Sequence, residues 1–186
     1  MEQYVLQTDK YLQNYNCSKI KIDDVPLSMR QHTTKAIGTI IISAVAQVLY
    51  IPVTISIFNL MSNACYKLLF FTCILNCLIL WILGFLHGIL TFLGAVYCSY
   101  PNLIYLSGSV LSWLWLAESS TELFLVLNRC LAILSPCKEK VLFSGRRIFL
   151  WIFISVIYAS YWYLFLKPVL FNAIYFTYFF NPSLDI

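Results

Sequence analysis

The placement of charge constrains this chain more than any other feature. No Asp, Glu, Lys or Arg occurs between Lys35 and Lys67 or between Lys67 and Glu118, and Ile148–Leu166 is uncharged as well. About 20 apolar residues cross the ~30 Å hydrocarbon core of a bilayer as a helix. One such run fits a soluble core, but three or four within 186 residues do not. Composition agrees: 61% of residues are hydrophobic and 11% charged, against roughly 45–50% and about 25% in soluble domains. The net charge of +4 is small and scattered, which argues against a nucleic-acid partner. Such a chain partners membrane lipid. The expected fold class is all-α, an integral membrane bundle of about four transmembrane helices.

The punctuation between the apolar runs sets the expected boundaries. Residues 1–35 form a polar tail without the apolar core of a signal peptide, so the first helix serves as its own insertion signal. That helix is expected at Ala36–Leu60, kinked at Pro52, which lacks a backbone donor and crowds the preceding turn. Met61–Lys67 reads as a short loop. The second helix is expected at Leu68–Phe92, where Gly84 and Gly88, with Gly94 just beyond, offer small faces for close helix approach. Gly94–Asn102 carries the Gly, Pro and Asn of a loop. The third helix follows at Leu103–Leu134, then a basic loop at Pro136–Arg147 and a fourth helix at Ile148–Leu166. Lys167-Pro168 ends that helix, and 167–186 reads as a surface loop or tail, with a fifth buried segment as the alternative.

Orientation follows from Lys and Arg in short loops, which collect on the cytoplasmic side. With the N-terminus outside, the inside loops hold Lys67, Lys138, Lys140, Arg146 and Arg147, and the outside loop between the second and third helices holds no Lys or Arg. Lys21, Arg30 and Lys35 in the tail weigh the other way. Asn16-Cys17-Ser18 is an acceptor triplet for N-glycosylation at Asn16, which adds to the N-out reading. Residues 1–35 and 167–186 are then extracellular, in a multi-pass plasma-membrane protein.

Glu118, Glu122 and Arg129 are the charged residues of the third helix. At ~100° per residue all three share one face. Ionisable groups at membrane depth usually turn inward, pair and mark function. The bland alternatives are a snorkelling Arg129 and two protonated carboxyls making interhelical hydrogen bonds. Cys98 and Cys17 lie outside under N-out, so a disulfide between them is chemically allowed, as is Cys98 pairing with a cysteine beyond residue 186, or two free thiols. His32 and His87 are isolated. No phosphate loop, nucleophile elbow or metal motif occurs. No cofactor, metal or catalytic residue is expected, and the chain does not read as an enzyme.

Several short motifs occur together in order: Tyr15-Asn16-Cys17-Ser18, Leu49-Tyr50-Ile51-Pro52, Cys65-Tyr66-Lys67, Gly94-Ala95-Val96-Tyr97-Cys98-Ser99-Tyr100-Pro101, Asn128-Arg129-Cys130-Leu131 and Pro168-Val169-Leu170-Phe171-Asn172. Together they resemble the nematode serpentine receptors of class T over about residues 15–182. The resemblance implies a rhodopsin-like, seven-helix, G-protein-coupled chemoreceptor of sensory neurons, of which this chain carries helices 1 to 4. Asn128-Arg129 would then stand where such receptors carry an Asp-Arg-Tyr-type switch, with Asn128 in place of the acid. Cys98 would match their outer cysteine of the third helix. Glu118, Trp115 and His87 are the candidate pocket walls for a small chemical cue, and a heterotrimeric G protein is the expected partner of a full-length form. The chain ends where three more helices are expected, so a partial receptor that does not signal alone is anticipated. The rival reading is a complete four-span protein forming an oligomeric channel, junction or scaffold.

Overall fold

The computed structural model describes Tyr4, Tyr15, Cys17, residues 25–61 and residues 63–180; Asn16 lies outside the described residues. The elements are α1 (Leu27–Arg30), α2 (Thr33–Asn59), α3 (Ala64–Phe92), α4 (Pro101–Leu134), α5 (Pro136–Phe143), α6 (Arg147–Phe165), β1 (Leu170–Asn172) and β2 (Thr177–Phe179). Four helical segments are long and apolar enough to cross a membrane: Leu27–Asn59, Ala64–Phe92, Pro101–Leu134 and Arg147–Phe165. At most 28% of the apolar window in any of them is buried inside the bundle. The outward surfaces, with Ile42, Leu123 and Phe153 among their exposed side chains, are thus as oily as a lipid-facing surface must be.

Three elements differ from the sequence expectation. The loop expected at Met61–Lys67 is shorter, because Asn63 takes an extended conformation at the N-cap position and Ala64 already starts α3. The basic loop coils into α5, with Pro136 at its first position, where a missing N–H costs nothing. The expected loop after the fourth helix contains an antiparallel hairpin that pairs Leu170 with Phe179, Phe171 with Tyr178 and Asn172 with Thr177. α2 runs unbroken through Pro52.

Packing proceeds along the chain: α2 lies on α3, α3 on α4, and α4 on both α6 and β1. Small residues bring the helices close. A Cβ on Gly84 would collide with Ser43 of α2, and one on Gly88 with Ile40. Gly84 sits in a π-helical stretch, Trp81–Leu86, inside α3. Such wide turns add a residue and re-aim the side chains that follow. The middle core joins Leu75, Leu114, Ala117 and Ala159 from three helices.

The two ends of the bundle differ. At one end Leu68, Phe143 and Ile148 are buried together and pin α5 beneath the bundle. At the other, Tyr15, Leu90, Tyr97, Tyr105 and Phe171 form a core that the hairpin covers. Here α3 stops with Gly94 at φ +63. Ala95 N donates to Leu90 O at 2.8 Å and Gly94 N to Thr91 O at 3.1 Å, the paired bonds of a Schellman cap.

Candidate functional site

α4 runs 34 residues from one end of the molecule to the other, about 50 Å at 1.5 Å per residue. The residues singled out in the sequence lie along it or beside it.

At its C-terminal end Asn128 is buried and Arg129 exposed. Asn128 Nδ2 donates to Glu139 Oε1 of α5 at 3.0 Å. The carboxylate that Asn128 lacks by its own identity is therefore supplied from the next helix. Trp151 Nε1 donates to Leu142 O at 3.1 Å, its ring stacks on Phe143 at 5.3 Å, and Arg147 donates to Val141 O. These contacts fix α5. Arg129 lies within hydrogen-bond reach of Cys65 on α3.

Midway along α4, Glu118 is half-buried and hydrogen-bonded with Asn76 of α3. Glu122 is exposed on the bundle surface. Of the three charged residues of this helix, Glu118 and Arg129 each reach a side chain of α3, Asn76 and Cys65, while Glu122 is exposed. Tyr50 of α2 is near enough to feel both carboxyls.

At the N-terminal end of α4, Cys17 and Cys98 form a disulfide with Cα atoms 5.6 Å apart. The tail folds over α4, where Tyr4 stacks on Tyr105 at 5.0 Å and Tyr15 meets the same ring edge-on at 5.4 Å. The hairpin is tied down by Ala173 N donating to Ala95 O at 3.1 Å, and His32 bonds the Ile174 carbonyl at 3.2 Å. Val169 presses its carbonyl onto Gly108, where a Cβ would collide with it.

His87 is buried among the rings of Phe171, Phe176 and Tyr178, with centroids 4.6 to 5.5 Å away. Its Nε2 has no partner among the described residues. Beside this cluster lies a cleft of about 380 Å³ between α3, α4, the end of α6 and β2. Trp115 is on its wall; Glu118 and His87 are not. Of the expected pocket residues Glu118, Trp115 and His87, this cleft brings in Trp115. Burial under the hairpin removes His87 from the cleft, although Tyr178 touches both, and Asn76 draws Glu118 toward α3. Burial also pushes the Tyr178 phenol above its ordinary range, so it stays neutral. Glu139, Tyr178 and Lys167 are the residues that sequence reasoning did not assign to a site. Pro136 and Pro168 mark the turns beside Glu139 and Lys167, but they do not say which side chain each residue will meet. Among the described residues no group of His, Cys, Asp and Glu gathers to hold a metal.

Compared with known families, residues 1–185 match the model described as "Serpentine type 7TM GPCR chemoreceptor Srt". No curated protein and no solved structure matches the chain.

Proposed function

This chain belongs to the serpentine seven-transmembrane chemoreceptor family Srt, and from that premise we propose that it detects a small chemical cue at the disulfide-bonded end and relays occupancy to the Arg129 end. The observation that supports this reading is the span of α4, one rigid helix that carries Trp115 on the cleft and Asn128 on the α5 contact. A guest that favours one packing of α4 biases the other end by its difference in affinity for the two packings. In this reading the disulfide end faces outside the cell, which the basic residues Lys67, Lys138, Lys140, Arg146 and Arg147 at the opposite end support. A heterotrimeric G protein meets the Arg129 end, and the protein is a multi-pass receptor of the plasma membrane of a sensory neuron rather than an enzyme.

The test expresses a seven-span form that carries this chain as its first four spans in cells with a G-protein activity reporter and applies a panel of small chemicals, with an Asn16→Gln variant reporting glycan attachment and hence orientation. We expect a stimulus-dependent signal that Arg129→Ala abolishes. A signal untouched by Arg129→Ala removes the switch role, and silence from such a seven-span form shown to be at the cell surface removes the receptor reading.

One observation favours a second reading, an oligomeric four-span channel, junction or scaffold. Glu122 stands exposed within a span, and a carboxyl at that depth calls for a neighbour. Further spans of a seven-helix receptor meet that need, and so do other copies of this chain. Blue-native electrophoresis separates the two: a discrete oligomer that Glu122→Leu dissolves supports the second.

A further inference from the structure

The cysteines of this chain fall into three groups. Cys17 and Cys98 are bonded to each other, while Cys73 is buried and Cys65 and Cys77 are half-buried in the bundle. Among the described residues the exposed free thiols are Cys130 and Cys137. Both lie at the Arg129 end, on either side of the Ser135-Pro136 turn: one closes α4 and the other opens α5. Accessible thiols are therefore gathered in one place.

The bundle holds α5 by one side: Glu139 accepts from the Asn128 amide, and Phe143 is fully buried. At ~100° per residue Cys137 and Val141 lie on the opposite side, and both are exposed. Lys138 and Lys140, exposed as well, flank that ridge. On α4, Cys130 shares an outward strip with Leu123, Leu127 and Leu134, all exposed. It sits about 6 Å along the axis from the end of the helix. Ile133 and Leu134, just after it, are 83% and 80% exposed, the most exposed large apolar side chains among the described residues. Two thiols thus stand where an oily surface gives way to lysines. The bland reading takes both as small hydrophobes resting in lipid. It accounts for Cys130 but not for Cys137, whose immediate flanks are charged.

We propose that Cys130 and Cys137 are S-acylation sites carrying long-chain fatty acyl groups, the modification that accessible cysteines beside a span or on a membrane-surface helix receive. The donor is a long-chain acyl thioester of coenzyme A, and a membrane acyltransferase is the catalyst. The cysteine sulfur, as thiolate, attacks the acyl carbonyl carbon. The bond from that carbon to the coenzyme sulfur breaks, a new thioester forms on the protein, and the cysteine's proton ends on the released coenzyme A. Nothing is oxidised or reduced. The chains lie along the strip of Leu127 and Leu134 and hold α5 to the inner leaflet. The proposal rests on the orientation with the N-terminus outside, because acyl-coenzyme A is cytoplasmic.

The full chain with an N-terminal epitope tag, expressed in cultured cells fed an alkyne-bearing palmitate, tests this without any signalling readout. Antibody staining of intact cells reads orientation. Fluorophore coupling to the purified protein, before and after neutral hydroxylamine, reads thioester-linked label. The unaltered chain should carry hydroxylamine-labile label. Cys130→Ser and Cys137→Ser should each lose part of it, the double variant all of it, and Cys65→Ser none. Should the double variant misfold, the unaltered chain still decides: trypsin releases both cysteines in one peptide, Cys130–Lys138, which should carry the acyl mass. Label that survives in the double variant overturns the proposal. So does an unacylated Cys130–Lys138 peptide from protein whose tag is stained on intact cells, and that result leaves the orientation standing. A tag reached only after permeabilisation, on protein without label, overturns both.

Discussion

Asn128 and Glu139 hold each other across two helices: the buried amide of α4 donates at 3.0 Å to a carboxylate carried by α5. Removing either partner leaves the other's polar group without its bond in a packed place, at about 1–3 kcal/mol. Glu139→Ala should therefore speed hydrogen exchange across Pro136–Phe143 and lower the melting temperature. Asn128→Asp should be worse at neutral pH, because two carboxylates then face each other. Exchange in α5 unchanged by Glu139→Ala would show that Phe143 and Trp151 hold the helix by themselves.

The Cys17–Cys98 bond closes a separation of 81 residues. A loop of that size confers about 4 kcal/mol of stability through chain entropy. Cys17→Ser and reductant should lower the melting temperature of the protein equally, and reductant should do nothing further to Cys17→Ser. A melting temperature insensitive to both would mean that the stacking of Tyr4 and Tyr15 on Tyr105 suffices to hold the tail.

Gly108 admits the Val169 carbonyl where any larger residue would strike backbone. Gly108→Ala should cost about 1–3 kcal/mol, the usual penalty of overpacking, and should loosen the hairpin and the cleft with it. Gly38→Ala is the control, since nothing lies within 4 Å of its added methyl. Alanine there should be neutral or stabilise by about 0.5–1 kcal/mol, the difference in helix propensity. Equal melting temperatures for the two variants would contradict the close approach.

The His87 ring packs among Phe171, Phe176 and Tyr178, and its Nε2 is buried without a partner among the described residues. His87→Phe keeps an aromatic among Phe171, Phe176 and Tyr178 and should change stability by less than about 1.5 kcal/mol. His87→Ala empties the cage and should cost about 2–4 kcal/mol. Thermal melts of the two variants decide. A Phe variant as damaged as the Ala one would give the nitrogen a role.

The spans were legible because charge is costly in lipid: the uncharged run between Lys35 and Lys67 holds most of α2, and the run between Lys67 and Glu118 holds most of α3 and the first half of α4, divided by the loop signals of Gly94–Asn102. Tertiary arrangement was not. The hairpin turn at 173–176 contains no Gly or Pro, and Phe176 takes φ 54, a conformation that β-turn chemistry usually reserves for Gly or Asn. Helical spacing placed Glu118, Glu122 and Arg129 on one stripe, yet a stripe does not say which neighbour faces it. Asn76 answers for Glu118 alone. Lys167 read as a stop signal, and its place beside the cleft depends on Trp115, which lies on a different helix.

The bond from Ala173 N to Ala95 O has a consequence for how the protein is made. Chains emerge from the ribosome N-terminus first, so α3 is capped by its own Schellman bonds long before residue 173 exists. Cys17 and Cys98 can also meet early. Tyr4 and Tyr15 of the tail can cover part of Tyr105 early, but the hairpin's share of the cover over this core comes only with Phe171. A nascent chain arrested before Val169 should expose that surface to chaperones, and one released past Phe179 should hide it.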